Sequence, residues 1–191
     1  MTKRVTAAPA RKPAINHETY SDTYIAGILA EAKTIAMVGA SAGTNRPSYF
    51  AMKYLLGKGY KVQPVNPTLA GKQILGQDVF ATLADLPPPI DVVDIFRNSA
   101  AALEVVRDAI RLKDRLGIKV IWMQLGVRND QAAAEAEAAG LAVVMNRCPK
   151  IEYGRLSGEI GWAGVNARTL SSKRPLLSGR GVQSHVLSAK R

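Results

Sequence analysis

Residues 34–48 read Thr-Ile-Ala-Met-Val-Gly-Ala-Ser-Ala-Gly-Thr-Asn-Arg-Pro-Ser. The apolar run Ile35, Ala36, Met37, Val38 has the character of a buried strand, it stops at Gly39, and a helical pattern begins at Ser48 after small residues and Arg46. A strand that ends at glycine lets a ligand approach the backbone closely. The free N–H groups and positive dipole end of the following helix then attract an anion. The stretch predicts a phosphate site at a strand-to-helix turn and leaves open which phosphorylated ligand it serves.

Working outward, the same alternation continues along the chain. A helix is expected from Ser21 or Asp22 to Glu31, and strands at Thr34–Gly39, Lys61–Val65, Asp91–Phe96, Lys119–Met123 and Leu141–Met145. Between them helices are expected from Ser48 to about Lys58, from about Ser99 to Leu116 with Gly117 closing it, and from Asp130 to Ala139. This spacing predicts an α/β protein with a doubly wound, mainly parallel five-stranded sheet and helices on both faces.

Composition agrees with an ordinary globular core: 191 residues, 47% hydrophobic and 21% charged. The single Cys148 excludes an internal disulfide, and no Cys/His cluster has zinc-ligand spacing. No apolar run reaches the roughly 18 residues of a membrane span, and no apolar segment follows the basic N-terminus, so a cytoplasmic protein is expected. The net charge of +11 is concentrated at the ends: residues 1–20 carry +3 and residues 151–191 carry +5. The expected organisation is a flexible basic arm over 1–20, one domain over 21–156, and a basic Gly/Ser-containing extension over 157–191. Charge held in tails points away from a nucleic-acid groove; a homodimer or another protein partner through the tails is the alternative use for it. Glycines at 158, 161 and 164 weaken any helix there.

In doubly wound sheets ligands bind beyond the carboxyl ends of the strands, where strand order reverses. The five ends read Gly39-Ala40-Ser41, Val65-Asn66-Pro67, Phe96-Arg97-Asn98, Met123-Gln124-Leu125-Gly126 and Asn146-Arg147-Cys148-Pro149. They supply small residues, amides and the cations Arg46, Arg97 and Arg147, and almost no acid or base. The loop is neither the dinucleotide fingerprint nor a Walker A site. Asn66 stands where an NAD enzyme places the acid that holds the ribose hydroxyls, which disfavours NAD. Lys72 would suit the 2′-phosphate of NADP or the 3′-phosphate of coenzyme A (CoA) equally well.

The ordered set T-I-A-M-V-G-A-S (34–41), R-P-S-Y (46–49), V-N-P (65–67), D-V-V-D-I-F-R (91–97), W-M-Q-L-G-V (122–127) and R-C-P-K-I-E-Y (147–153) resembles the stand-alone CoA-binding protein family. That family is similar to the CoA-binding domain of the succinyl-CoA synthetase alpha subunit. The resemblance covers roughly residues 22–156 and implies a Rossmann-like fold with CoA or an acyl-CoA as cofactor. It implies Gly39, Ala40, Ser41, Arg46 and Ser48 around the phosphates, and Asn66 and Pro67 beside the adenosine end. Phe96, Arg97, Gln124 and Gly126 would line the remainder.

The chain departs from the synthetase in lacking room for its phospho-histidine domain, and His17 and His185 both fall in the tails. The expectation is therefore a non-catalytic binding, sensor or partner module. An NADP-dependent oxidoreductase is the alternative, although its Tyr49/Lys53 pair lies at the start of the first sheet-packed helix, the wrong place for hydride chemistry. Asp91 and Asp94 are expected to cap loops or pair with cations, and Phe96 and Trp122 to pack in the core. Cys148, between Arg147 and Lys150, is expected to sit near the crevice mouth with a favoured thiolate, open to disulfide exchange with CoA, or else to be a half-buried inert thiol.

Overall fold

The computed structural model describes residues 15–159. Five helices, α1 (Asp22–Glu31), α2 (Pro47–Gly57), α3 (Ser99–Leu116), α4 (Asp130–Ala138) and α5 (Pro149–Leu156), alternate with seven strands. Five of these, β1 (Thr34–Val38), β2 (Lys61–Val65), β5 (Val92–Ile95), β6 (Val120–Met123) and β7 (Ala142–Val144), form one all-parallel sheet in the order β2-β1-β5-β6-β7. The remaining two, β3 (Gln73–Ile74) and β4 (Gln77–Asp78), make a small antiparallel hairpin. The expected α/β, doubly wound, Rossmann-like architecture is what the chain adopts. Strand order reverses between β1 and β5, which puts the binding crevice at their carboxyl ends.

The strands are mainly apolar because helices cover both faces of the sheet, with Lys61 and Gln63 on β2 and Asp94 on β5 among the exceptions. Ile35, Met37, Val62, Trp122 and Val144 face α1, α2 and α5, while Ala36, Val93, Ile121, Met123 and Val143 face α3 and α4. The alternation along β1 and β6 is the two-residue period of a strand. Local chemistry sets the helix ends. Ser21, Asn98 and Asn129 each accept a backbone N–H from the first turn of α1, α3 and α4. Gly117, at φ 78°, closes α3 in the left-handed conformation.

Each edge of the sheet is covered at its carboxyl end. Beyond β7, the Tyr20 hydroxyl accepts the N–H of Met145 at 2.8 Å and the Tyr24 hydroxyl donates to the Val143 carbonyl at 3.1 Å. Beyond β2, Phe80 donates its N–H to Pro64 and accepts that of Asn66, at 3.0 and 2.9 Å. Residues 15–20 thus lie against the domain. Residues 1–14 and 160–191, with most of both basic tails, His185 and Trp162, lie outside the described residues.

Candidate functional site

The turn after β1 is tied to every element around it. Gly39 takes φ 88°, donates its N–H to the Val65 carbonyl at 2.9 Å, and passes so close to β5 that a Cβ there would stand 2.7 Å from the Phe96 carbonyl oxygen. Only glycine meets both conditions. Ala40 is buried, and its carbonyl accepts Nδ2 of Asn66 at 2.7 Å. The other face of the Asn66 amide, Oδ1, caps the short 3-10 turn Pro67–Leu69 by accepting the N–H of Thr68 at 3.0 Å. Ser48, buried in the first turn of α2, accepts the Ser41 N–H on Oγ at 3.1 Å. Arg46 occupies the N-cap position of α2, exposed, with its side chain making no cap bond. The sequence-predicted residues Gly39, Ala40, Ser41, Arg46, Ser48, Asn66 and Pro67 are therefore one contiguous structure at the tips of β1 and β2.

A cavity of about 570 Å³ adjoins this turn. Phe96 and Arg97 from the end of β5, and Gln124, Leu125 and Val127 from the end of β6, form its sheet side. Its helical walls are the first turns of α2 (Pro47, Phe50, Ala51) and α5 (Cys148, Lys150, Ile151). Phe96, Arg97 and Gln124 were expected here; Gly126 is exposed beside it, at φ 82°, with its N–H held by Oδ1 of Asn146 at 2.8 Å. Phe50, Ala51, Lys150 and Ile151 are the part missed by reading strand ends alone, whereas Cys148 lines the cavity near the expected place. Pro149 at the first position of α5 and Glu152 in its first turn are the sequence signals that mark that helix.

The floor carries an unusual pair. Asp94 is fully buried on β5, between Met37 and Trp122 in register, and Nε2 of Gln124 donates to both of its oxygens at 3.0 and 3.1 Å. The sequence reading of Asp94 as a loop cap or cation partner is corrected: it lies mid-sheet, and no cation pairs with it among the described residues. Burial pushes its carboxyl up to about 8, against the opposing pull of the Gln124 hydrogen bond. Asp91 does follow expectation: it accepts the N–H groups of Lys33 and Thr34 at 2.9 and 3.1 Å and pairs with Lys119 at 2.8 Å.

Two further expectations change. Burial raises the Cys148 thiol, the nearby Asp94 adds to the rise, and the N–H groups of Ile151 and Lys150 only partly oppose it, so the thiolate is not favoured. Arg147 turns away from the crevice: its guanidinium lies over the Tyr20 ring at 5.5 Å and donates to the Glu18 carbonyl at 3.1 Å. Its own carbonyl accepts Nε1 of Trp122 at 2.7 Å, and Trp122 is core, as expected. No group of three or more His, Cys, Asp or Glu among the described residues is placed to hold a metal ion, and no described helix is long and apolar enough to cross a membrane.

Known proteins are similar to this chain. The uncharacterized protein YneT of Bacillus subtilis is 32% identical over 133 residues, spanning 70% of this chain and 94% of its own. The crystal structure of a hypothetical protein from Pyrococcus horikoshii is 38% identical, with a TM-score of 0.68 over 76% of this chain and 99% of that one. A dinucleotide-forming acetyl-coenzyme A synthetase from Ca. Korarchaeum cryptofilum shares the fold at 24% identity, with a TM-score of 0.51 over 60% of this chain and 26% of its own. The CoA binding domain model matches residues 33–154, from the start of β1 into α5, and so takes in the turn and the whole cavity wall: the chain belongs to the CoA-binding domain family.

Proposed function

We propose that this protein binds CoA or an acyl-CoA in the crevice at the β1/β5 switch point and works as a non-catalytic carrier, sensor or partner module. The observation that carries the reading is the turn from Gly39 to Ser48. Its backbone is pressed onto β5 where no side chain fits, and it opens on the start of α2, the arrangement that receives a phosphate group. In this reading Gly39, Ala40, Ser41, Arg46 and Ser48 surround the phosphates, Asn66 and Pro67 flank the adenosine, and Phe96, Arg97, Gln124 and Gly126 meet the pantetheine arm. Family membership supports CoA over other phosphorylated ligands. Asn66, committed to Ala40 and Thr68, supplies no acid for the ribose of NAD.

Thermal unfolding with CoA, acetyl-CoA, succinyl-CoA, NAD, NADP and ATP tests the proposal. A ligand at a hundred times its dissociation constant adds about 2.7 kcal/mol of stability. CoA species should give the largest shift, and Arg46→Ala and Ser41→Ala should reduce it. No shift with any CoA species, or a larger one with NADP, overturns the reading.

A further inference from the structure

The cavity beside the turn carries an exposed apolar lip. Phe50 and Leu125, 50% and 61% exposed, are the only large hydrophobic side chains so exposed among the described residues, and both stand on this one cavity. Ala51, Phe96, Val127 and Ile151 continue the apolar lining behind them. Two isolated exposed apolar residues need no explanation, but a pair sharing the lip of a lined cavity marks a surface meant to be covered.

Two cations, Arg97 and Lys150, also line the cavity. Arg97 lays its stem across Gly39, where a Cβ would meet its Cδ at 3.1 Å. The Lys150 ammonium lies 5.9 Å from the centre of the Tyr54 ring. Gln124, which lines the cavity, spends its Nε2 on the carboxyl of Asp94 beneath it.

We infer, resting on the CoA reading above, that the crevice takes CoA as a thioester carrying a neutral, apolar short acyl group, which lies between Phe50 and Leu125. An apolar chain would cover that lip, whereas the carboxylate of a dicarboxylic acyl group held between the same two side chains would lose hydration there. Each buried CH₂ is worth roughly a fourfold gain in affinity. Partial burial of a butyryl chain should therefore give at least about a tenfold gain over CoA.

Isothermal titration with adenosine 3′,5′-bisphosphate, CoA, butyryl-CoA and succinyl-CoA tests this. Butyryl-CoA should bind about tenfold tighter than CoA, and succinyl-CoA weaker than butyryl-CoA. Because both lip residues are exposed, Phe50→Ala and Leu125→Ala fold, and each should bring the CoA-to-butyryl-CoA ratio of dissociation constants down toward unity. A ratio near one in the unaltered protein, succinyl-CoA binding as tightly as butyryl-CoA, or a ratio unmoved by both substitutions overturns the inference. In each of those cases continued binding of adenosine 3′,5′-bisphosphate and CoA leaves the CoA reading standing. Loss of binding to both of those probes removes the CoA reading and this inference together.

Discussion

Asp94 and Gln124 form a closed pair beneath the crevice: one amide nitrogen serves both carboxyl oxygens, at 3.0 and 3.1 Å, and no cation joins them among the described residues. Burial is the dominant influence on this carboxyl and holds it toward the neutral form, up to about 8.

The pH dependence of stability follows from that. In the unfolded chain this carboxyl titrates near 4 and in the folded protein near 8, so between those values the folded state binds more protons. Its contribution is complete below about pH 4, declines as pH rises, and is gone above about pH 8, at up to about 1.4 kcal/mol per pH unit. Asp91 and Glu135, both held below the ordinary carboxylate range, act in the opposite sense and at more acid pH. Thermal unfolding between pH 5 and 9 should show a falling Tm that levels off near pH 8, and Asp94→Asn should flatten the slope. A Tm that climbs over this interval, or an unchanged slope in the variant, contradicts the assignment.

Gly39→Ala combines a positive φ with a Cβ 2.7 Å from the Phe96 carbonyl oxygen. Backbone strain and forced separation of β1 from β5 together should cost about 2–4 kcal/mol. Urea denaturation would register this as a lower midpoint at constant slope. A loss under about 0.5 kcal/mol would mean the turn yields easily and is not the rigid cradle described.

Asn66→Asp keeps the acceptor that caps the 3-10 turn and removes the donor that holds the Ala40 carbonyl at 2.7 Å. The new carboxylate faces a carbonyl oxygen and brings negative charge to the phosphate turn. CoA affinity measured by titration calorimetry should fall about tenfold or more, the scale of leaving a buried polar group unpaired. Undiminished affinity would remove Asn66 from the site.

Cys148, with its thiol raised by burial and by Asp94, should react with a thiol-specific disulfide reagent at pH 7 at least several-fold slower than a free cysteine. Bound CoA should slow it further, since the residue lines the cavity. Absence of a CoA adduct after incubation with CoA disulfide would fit the inert half-buried thiol. Fast reaction at pH 7 would show that the raised value is wrong.

Much of the fold was legible because its signals are local. The apolar runs of β1, β2, β5 and β6, the stop at Gly39 and the left-handed close at Gly117 each state their structure within a few residues. The hairpin Gln73–Asp78 escaped notice because its strands are two residues long and its turn puts Leu75, a residue that seldom takes positive φ, at 50° beside Gly76. At the site, the glycine turn was visible in sequence, but its helical walls were not: which faces of α2 and α5 meet over the sheet is decided by tertiary packing. Arg147 was misread for a related reason. A residue at a strand end has two sides to turn toward, and contacts with Tyr20 and Glu18, far away in sequence, chose the outer one.

The covered ends of the sheet's edges bear on how the protein behaves at high concentration. A parallel sheet with bare outer strands offers unpaired N–H and C=O groups as a template for another chain. Here the Tyr20 and Tyr24 hydroxyls take up the Met145 N–H and the Val143 carbonyl beside β7, and Phe80 takes up the Pro64 carbonyl and the Asn66 N–H beside β2. A chain approaching either edge at these positions would first have to displace a tyrosine hydroxyl or the Phe80 backbone.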